Sequence, residues 1–274
     1  MIQKPLATPL ILKKEHPWVK DLVACYVMND YGCKSVSDLY SLNNSLSLTN
    51  TTWVQDGIEI KNNGEFGIFN NSNQLINSTC GTILLYFKAL TPFNEVVKRS
   101  YFGNSTSGIG QFIIYKNTGN ELIFLFQDNI GVHWIKNNSS YFPSWTDGFQ
   151  LGILWDKNTV IGGYNLSFSV NGINIAPHQA SSAYSWNTFT IYSNLGILNN
   201  IDGLTNSNAI CKYMYIFNTT LSENKQKLFF QNPFDIFYSQ EEIYSSFLMN
   251  FAGFLPLSQN KIFGANAFPI GQGV

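Results

Sequence analysis

Between Leu22 and Phe217 the chain is a succession of short apolar or alternating runs, and nearly every one is closed by Asn, Gly, Ser or Asp. A chain punctuated this way forms many strands with tight turns and leaves little room for helix. Strands are predicted over residues 22–28, 57–61, 65–69, 81–88, 99–103, 111–116, 121–127, 132–136, 150–156, 164–171, 189–192, 195–198 and 209–217. The first run is apolar at nearly every position, so both of its faces should be covered. It is followed by turn chemistry at Asn29-Asp30-Tyr31-Gly32, a brief return at 36–39 and a polar loop over 43–50. In the run near 166–170, Leu166, Phe168 and Val170 share one face and Ser167 and Ser169 the other, the mark of a strand with one side in a core. Asn171-Gly172 predicts a two-residue hairpin, because φ > 0 costs little at either residue. Asn117 to Asn120 predicts another hairpin, and Asn62-Asn63-Gly64 carries the same kind of turn signal.

One helix is predicted. Thr220 and Glu223 have the spacing of a capping box, and Pro233 gives a stop; Leu221, Leu228 and Phe229 would form its apolar side. About a dozen strands and one late helix give an all-β fold, an antiparallel β-sandwich of jelly-roll type with extended termini. Residues 1–15 read as an arm without periodicity, 16–233 as the sandwich, and 234–274 as an apolar, aromatic extension suited to docking.

Only 12% of the 274 residues are charged and the formal net charge is -1, which argues against nucleic acid or an anionic membrane as partner. Hydrophobic residues make up 45%, enough for a large core, so the surface must be wetted by Asn, Ser and Thr. Such a surface is easily covered by other protein. No signal peptide is read at the start, and no apolar run nears the ~18 residues of a membrane span. Cys25, Cys33, Cys80 and Cys211 lack zinc-ligand spacing and are read as free thiols, although Cys25 and Cys33 flank a turn across which they could meet.

His16-Pro17 through Asn29, followed by Val36, Asp38 and Leu39, resembles the opening of concanavalin A-like (LamG-like) jelly-roll domains. Tyr26 stands near the usual Trp of that pattern, Asp30 replaces a Glu, and the loop over 41–47 lacks its glycines. Further pieces follow in the family's order: 151–156, then Phe168-Ser169-Val170-Asn171-Gly172, then 213–231 with Thr220-Leu221-Ser222-Glu223. Asn232-Pro233-Phe234 continues like phage-borne members, in which a short aromatic tail follows the domain. The resemblance spans roughly 15–234. It implies a lectin-like sandwich that binds glycans or neighbouring proteins, although fold alone does not set function.

The expectation is therefore a non-enzymatic bacteriophage virion accessory protein, a decoration or fibre-associated subunit. It would be held to other virion proteins by its arm and extension and would work as part of an assembly. The alternative is a host-surface glycan-binding module. A glycan hydrolase is a remote third, because Glu59, Glu65, Glu121, Glu223, Glu241 and Glu242 lack the Glu-x-Asp-x-Glu spacing of β-glucanases with this architecture. His16, His133 and His178 are scattered and form no catalytic or metal pattern. No cofactor is expected; calcium is left open by Asp128, Asp147, Asp156 and Asp202 in or beside loops. Trp134, Tyr141, Trp145, Tyr184 and Trp186 lie in or next to polar loops. Their rings are the candidates for stacking on a sugar, with plain packing under loops as the competing role.

Overall fold

The computed structural model describes residues 10–28, 32–41, 44–69, 74–104, 108–159, 165–181, 186–191, 194–198, 207–239 and 242. Contacts divide the chain into Met1–Ile236 and Phe237–Val274. In the second unit, Glu242 accepts from the Ser239 amide at 2.7 Å and donates back from its own amide to the Ser239 hydroxyl at 3.2 Å. All that follows concerns the first unit.

Two antiparallel sheets form a sandwich. The eight-stranded sheet contains β1 (Leu22–Val27), β4 (Thr52–Val54), β5 (Gly57–Ile60), β7 (Cys80–Ala89), β12 (Phe149–Asp156), β13 (Leu166–Val170), β14 (Ile173–Ile175) and β17 (Ala209–Phe217). Its order is β14-β13-β12-β7-β17-β5-β4, with β1 also on β17. The far edge of β17 is thus shared: Ala209 to Cys211 face β5, and Tyr213 to Phe217 face β1. A bulge at Lys212 separates the two partnerships. Gly57 permits the junction, since it holds φ +145° and a Cβ there would lie 1.8 Å from the Cys211 carbonyl oxygen.

The nine-stranded sheet contains β2 (Ser35–Val36), β3 (Leu46–Thr49), β6 (Phe66–Phe69), β8 (Arg99–Gly103), β9 (Phe112–Lys116), β10 (Glu121–Gln127), β11 (Val132–Asn138), β15 (Gln179–Ala180) and β16 (Leu195–Ile197). Its order is β15-β11-β10-β9-β8-β16-β6-β3-β2. Between the sheets lies one aromatic-rich core. Ile83, Leu85 and Phe87 of β7 belong to it with Phe112, Phe124 and Phe126 of the opposite sheet; Trp155 meets Phe112 and Phe124 across the sheets, and Phe149 packs on Phe87.

Most predicted strands are present, and the differences have physical reasons. The Asn62-Asn63-Gly64 turn does not close a hairpin. It carries the chain from β5 in one sheet to β6 in the other, and the Glu65 carboxylate secures it by accepting from the Lys61 amide at 2.7 Å and the Asn62 amide at 3.1 Å. Part of the predicted polar loop 43–50 is strand β3, where Leu46 is fully buried and pairs opposite Phe69. Phe189 and Ile191 are buried without being strand. The Asn171-Gly172 hairpin is formed as expected, with φ of 52° and 80°.

The helix α1 (Glu223–Gln231) is capped by Ser222, whose hydroxyl accepts from the Lys225 amide at 3.4 Å. Thr220 instead donates to the Trp155 carbonyl at 2.9 Å, and Leu228 faces solvent. The helix lies on the outer face of the eight-stranded sheet. Phe229 packs on Trp18, Tyr215 and Phe217, and the buried Gln226 amide bonds Ser169 and Asn174. The serine face of β13 is therefore buried under polar helix contacts, not wetted. Residues 10–21 add cover: Leu12 and Val19 are buried, and the Lys13 amide donates to the Ile236 carbonyl at 2.8 Å.

Of the cysteines, all four are free; Cys25 and Cys211 are buried, Cys80 is half-buried, and Cys33 is exposed. No described helix is long and apolar enough to cross a membrane.

Candidate sugar-contact face

α1 and residues 10–21 cover part of the eight-stranded sheet, and the candidate face lies on the outer side of the nine-stranded sheet. Its central strands are built from alternation. Leu122, Phe124 and Phe126 of β10 turn into the core, so Glu121, Ile123, Leu125 and Gln127 turn out. Register then sets the rows. Ile113, Leu125 and Trp134 stand side by side across β9, β10 and β11, and Tyr115, Ile123 and Lys136 form the next row. Sequence patterning does not reveal this face, because both sides of β9 and β10 carry apolar residues. Tyr115 and Lys136 are consequently absent from the sequence-based candidates.

Two ammonium groups stand beside these rings. Lys136 Nζ sits 2.8 Å from Glu121 Oε1 and 5.7 Å from the centre of the Trp134 ring. Lys98 Nζ lies 5.0 Å from the centre of the Tyr115 ring. Partial burial would raise the Glu121 carboxyl, but the bonds from Lys136 and Asn117 outweigh it and hold the group below the usual carboxylate range. Burial, then the Glu121 charge, pushes the Tyr115 phenol up, so it stays a neutral donor. The result is a half-buried tryptophan and a half-buried tyrosine, each flanked by an ammonium, on an apolar floor.

The other aromatic candidates are placed differently. Trp145 is 4% exposed and wedged among Phe87, Phe93, Tyr101 and Phe142. Trp186 is 1% exposed, stacks edge-on against Phe126, and donates to the Ser78 carbonyl at 2.8 Å. Both candidates are core residues and do not face a ligand: each ring is packed among other aromatic rings, and rings that large gain more from burial than from water. Tyr141 is partly buried against the same core. Tyr184 lies outside the described residues.

The aspartates do not converge. Asp128 is buried and accepts from the amides of Ile130, Gly131 and Asn187 and from His133. Asp156 caps its own loop through the amides of Asn158 and Thr159, and Asp147 is exposed. Asp202 lies outside the described residues. Among the described residues no group of three or more His, Cys, Asp or Glu is placed to hold a metal. Three of the glutamates hold structural bonds: Glu59 pairs with Lys61 at 2.8 Å, Glu223 with Lys227 at 2.5 Å, and Glu65 closes its turn. Glu241 lies outside the described residues.

The architecture defines an all-β sandwich of two antiparallel sheets with one helix. Among solved structures, the chain is similar to the receptor-binding domain of a botulinum neurotoxin C/D mosaic serotype, with a TM-score of 0.60, 13% identity, 77% of this chain and 51% of that chain covered. It is similar to the botulinum neurotoxin serotype D ligand-binding domain in complex with N-acetylneuraminic acid, at a TM-score of 0.58 and 12% identity, covering 77% of this chain and 51% of that one. It is also similar to Trypanosoma rangeli sialidase in complex with sialic acid, at a TM-score of 0.58 and 13% identity, covering 79% of this chain and 33% of that one. The chain thus spans about half of the two neurotoxin domains and a third of the sialidase, and at such identity the likeness is one of fold. No family model and no curated protein matches the sequence.

Proposed function

We propose that this chain is a non-enzymatic recognition module that contacts glycan through the outer face of its nine-stranded sheet, with Trp134 as the stacking ring. The observation that carries the reading is the Trp134–Leu125–Ile113 row beside Tyr115 and Lys136. It joins aromatic faces to a flanking donor, the pairing that a sugar's apolar C–H face and rim hydroxyls require. The glycan complexes of the botulinum serotype D domain and of the sialidase support the choice of ligand class. The finer setting we propose is a virion accessory protein, with residues 1–15 and 234–274 docking on a particle. The apolar, charge-poor sequence after Phe234 supports it.

The test is binding to a panel of cell-surface polysaccharides. Trp134→Ala should weaken the best binder at least tenfold and leave the thermal unfolding of the sandwich nearly unchanged. Equal binding by both proteins refutes the face. For the setting, peptides of this chain should be found by mass spectrometry in purified particles; their absence there refutes it.

A further inference from the structure

The eight-stranded sheet carries a concavity. Where the outer face of β7 and β17 meets the segment after α1, a cavity of about 200 Å³ is walled by Tyr86, Tyr213, Phe230, Pro233 and Phe234, with Lys212 reaching it from the bulge in β17. The rings of Tyr86 and Tyr213 lie 5.5 Å apart, and Phe234 stands edge-on to Tyr213 at 5.8 Å. Gly148 completes the lining, and a Cβ there would come within 2.5 Å of the Tyr86 hydroxyl.

The polar side chains in the lining are Lys212 and the two tyrosines. The Lys212 side chain is 9% exposed; its Nζ lies 5.6 Å from the Tyr86 ring centre and 3.9 Å from an oxygen of Asp56, whose side chain is 60% exposed. Tyr213 is 2% exposed. Its hydroxyl accepts from Gln150 Nε2 at 3.1 Å, and its own proton meets no acceptor among the described residues. The Gln150 Oε1 beside it is buried without a partner. The Tyr86 hydroxyl bonds no described residue. Burial raises both phenols above their ordinary range, so they keep their protons and remain donors.

An ammonium and two unspent phenolic donors, with no carboxylate in the lining, select an acceptor that carries negative charge. The aromatic walls select a ring to carry it. The volume lies below the ~300–1,000 Å³ of drug-sized sites, so it takes one residue and not a chain. We infer that this cavity is a binding site for a single acidic sugar residue of the uronate class, its carboxylate on Lys212 and the tyrosine hydroxyls and its ring against Tyr213 and Phe234. The inference rests on the glycan-binding reading above but uses a different sheet and different residues.

The test is titration of the full chain with glucuronate, followed by protein NMR shifts, with glucose and benzoate as comparators. Glucuronate should bind saturably and at least tenfold more tightly than either comparator. Lys212→Met should weaken it at least tenfold and Tyr86→Phe several-fold, whereas Trp134→Ala should leave it within twofold. Tyr86→Phe carries the test should Lys212→Met fail to fold. Absence of saturable glucuronate binding, parity with glucose, parity with benzoate, or indifference to Tyr86→Phe each overturns the assignment. Loss of polysaccharide binding in Trp134→Ala with glucuronate binding intact separates the two sites. Failure of the polysaccharide panel alone counts against the sheet-face reading and not against this one.

Discussion

Asp128 should be a principal electrostatic anchor of the sandwich, and replacing it with Asn isolates its charge. Its Oδ1 accepts from the amides of Ile130 and Gly131, both at 2.9 Å, and faces His133 Nε2 at 3.2 Å. Its Oδ2 accepts from the Asn187 amide at 2.5 Å, which ties the 186–191 segment to the β10–β11 hairpin. In Asp128→Asn the first oxygen keeps its bonds without charge assistance, at a cost of about 0.5 kcal/mol each. The new amide nitrogen turns donor against the Asn187 N–H, leaving that group unpaired for about 1–3 kcal/mol. The total is about 3 kcal/mol. Burial pushes the Asp128 carboxyl up, but the amides of Asn187, Ile130 and Gly131 together with His133 outweigh it and hold the group below the usual range. A depressed carboxyl contributes stability that is complete above its unfolded value, about 3.9, and fades as pH falls through the folded value. Urea unfolding of both proteins from pH 7 down to pH 2 is the assay. The gap should be constant above about pH 5 and should shrink in acid. A gap under 0.5 kcal/mol, or one that does not change with pH, refutes the reasoning.

Two further substitutions test the frame. Lys116 is 1% exposed, and its ammonium bonds the carbonyls of Glu95, Val97 and Asn117, fixing the 92–98 loop. Lys116→Met should lower stability by about 2–4 kcal/mol in urea titration, since it leaves those carbonyls unpaired. Gly57→Ala should cost at least about 2–3 kcal/mol, because its Cβ meets the Cys211 carbonyl. Gly64→Ala, whose Cβ meets nothing within 4 Å although φ is +85°, should cost about 1 kcal/mol. Equal thermal shifts for the two glycine variants would show that the close approach at Gly57 does not matter.

Local chemistry made the strands legible wherever two signals agreed. The β13–β14 hairpin had alternation and Asn171-Gly172 together, and the β9–β10 hairpin had two apolar runs joined by an Asn-Gly-rich turn. The turn at Asn62 to Gly64 had the same local signal and joins different sheets instead, because a turn residue fixes backbone angles and not which strand comes next to which. Ser222 took the cap from Thr220 because the Thr220 hydroxyl is spent on the Trp155 carbonyl, a contact between residues distant in sequence. The aromatic candidates sorted for a similar reason. Trp134 lies on a strand whose outward positions are set by register, whereas Trp145 and Trp186 sit in segments that close over the core. Polar neighbours in sequence could not separate these fates. The Tyr86–Tyr213–Lys212 cavity joins residues more than a hundred positions apart and had no local signature at all.

The shared edge of β17 has a consequence for synthesis. β7 lies between β12 and β17, and β1 and β5 both need β17 as their template. The earliest strand made therefore waits for the last. At about 5–20 residues per second, a ribosome takes roughly 10–40 s to travel from Val27 to Phe217, and for that time Leu22 to Val27 has no native neighbour in its sheet. Such distant pairings make for slow closure, and the apolar first strand stays unpaired in its sheet until the last is made.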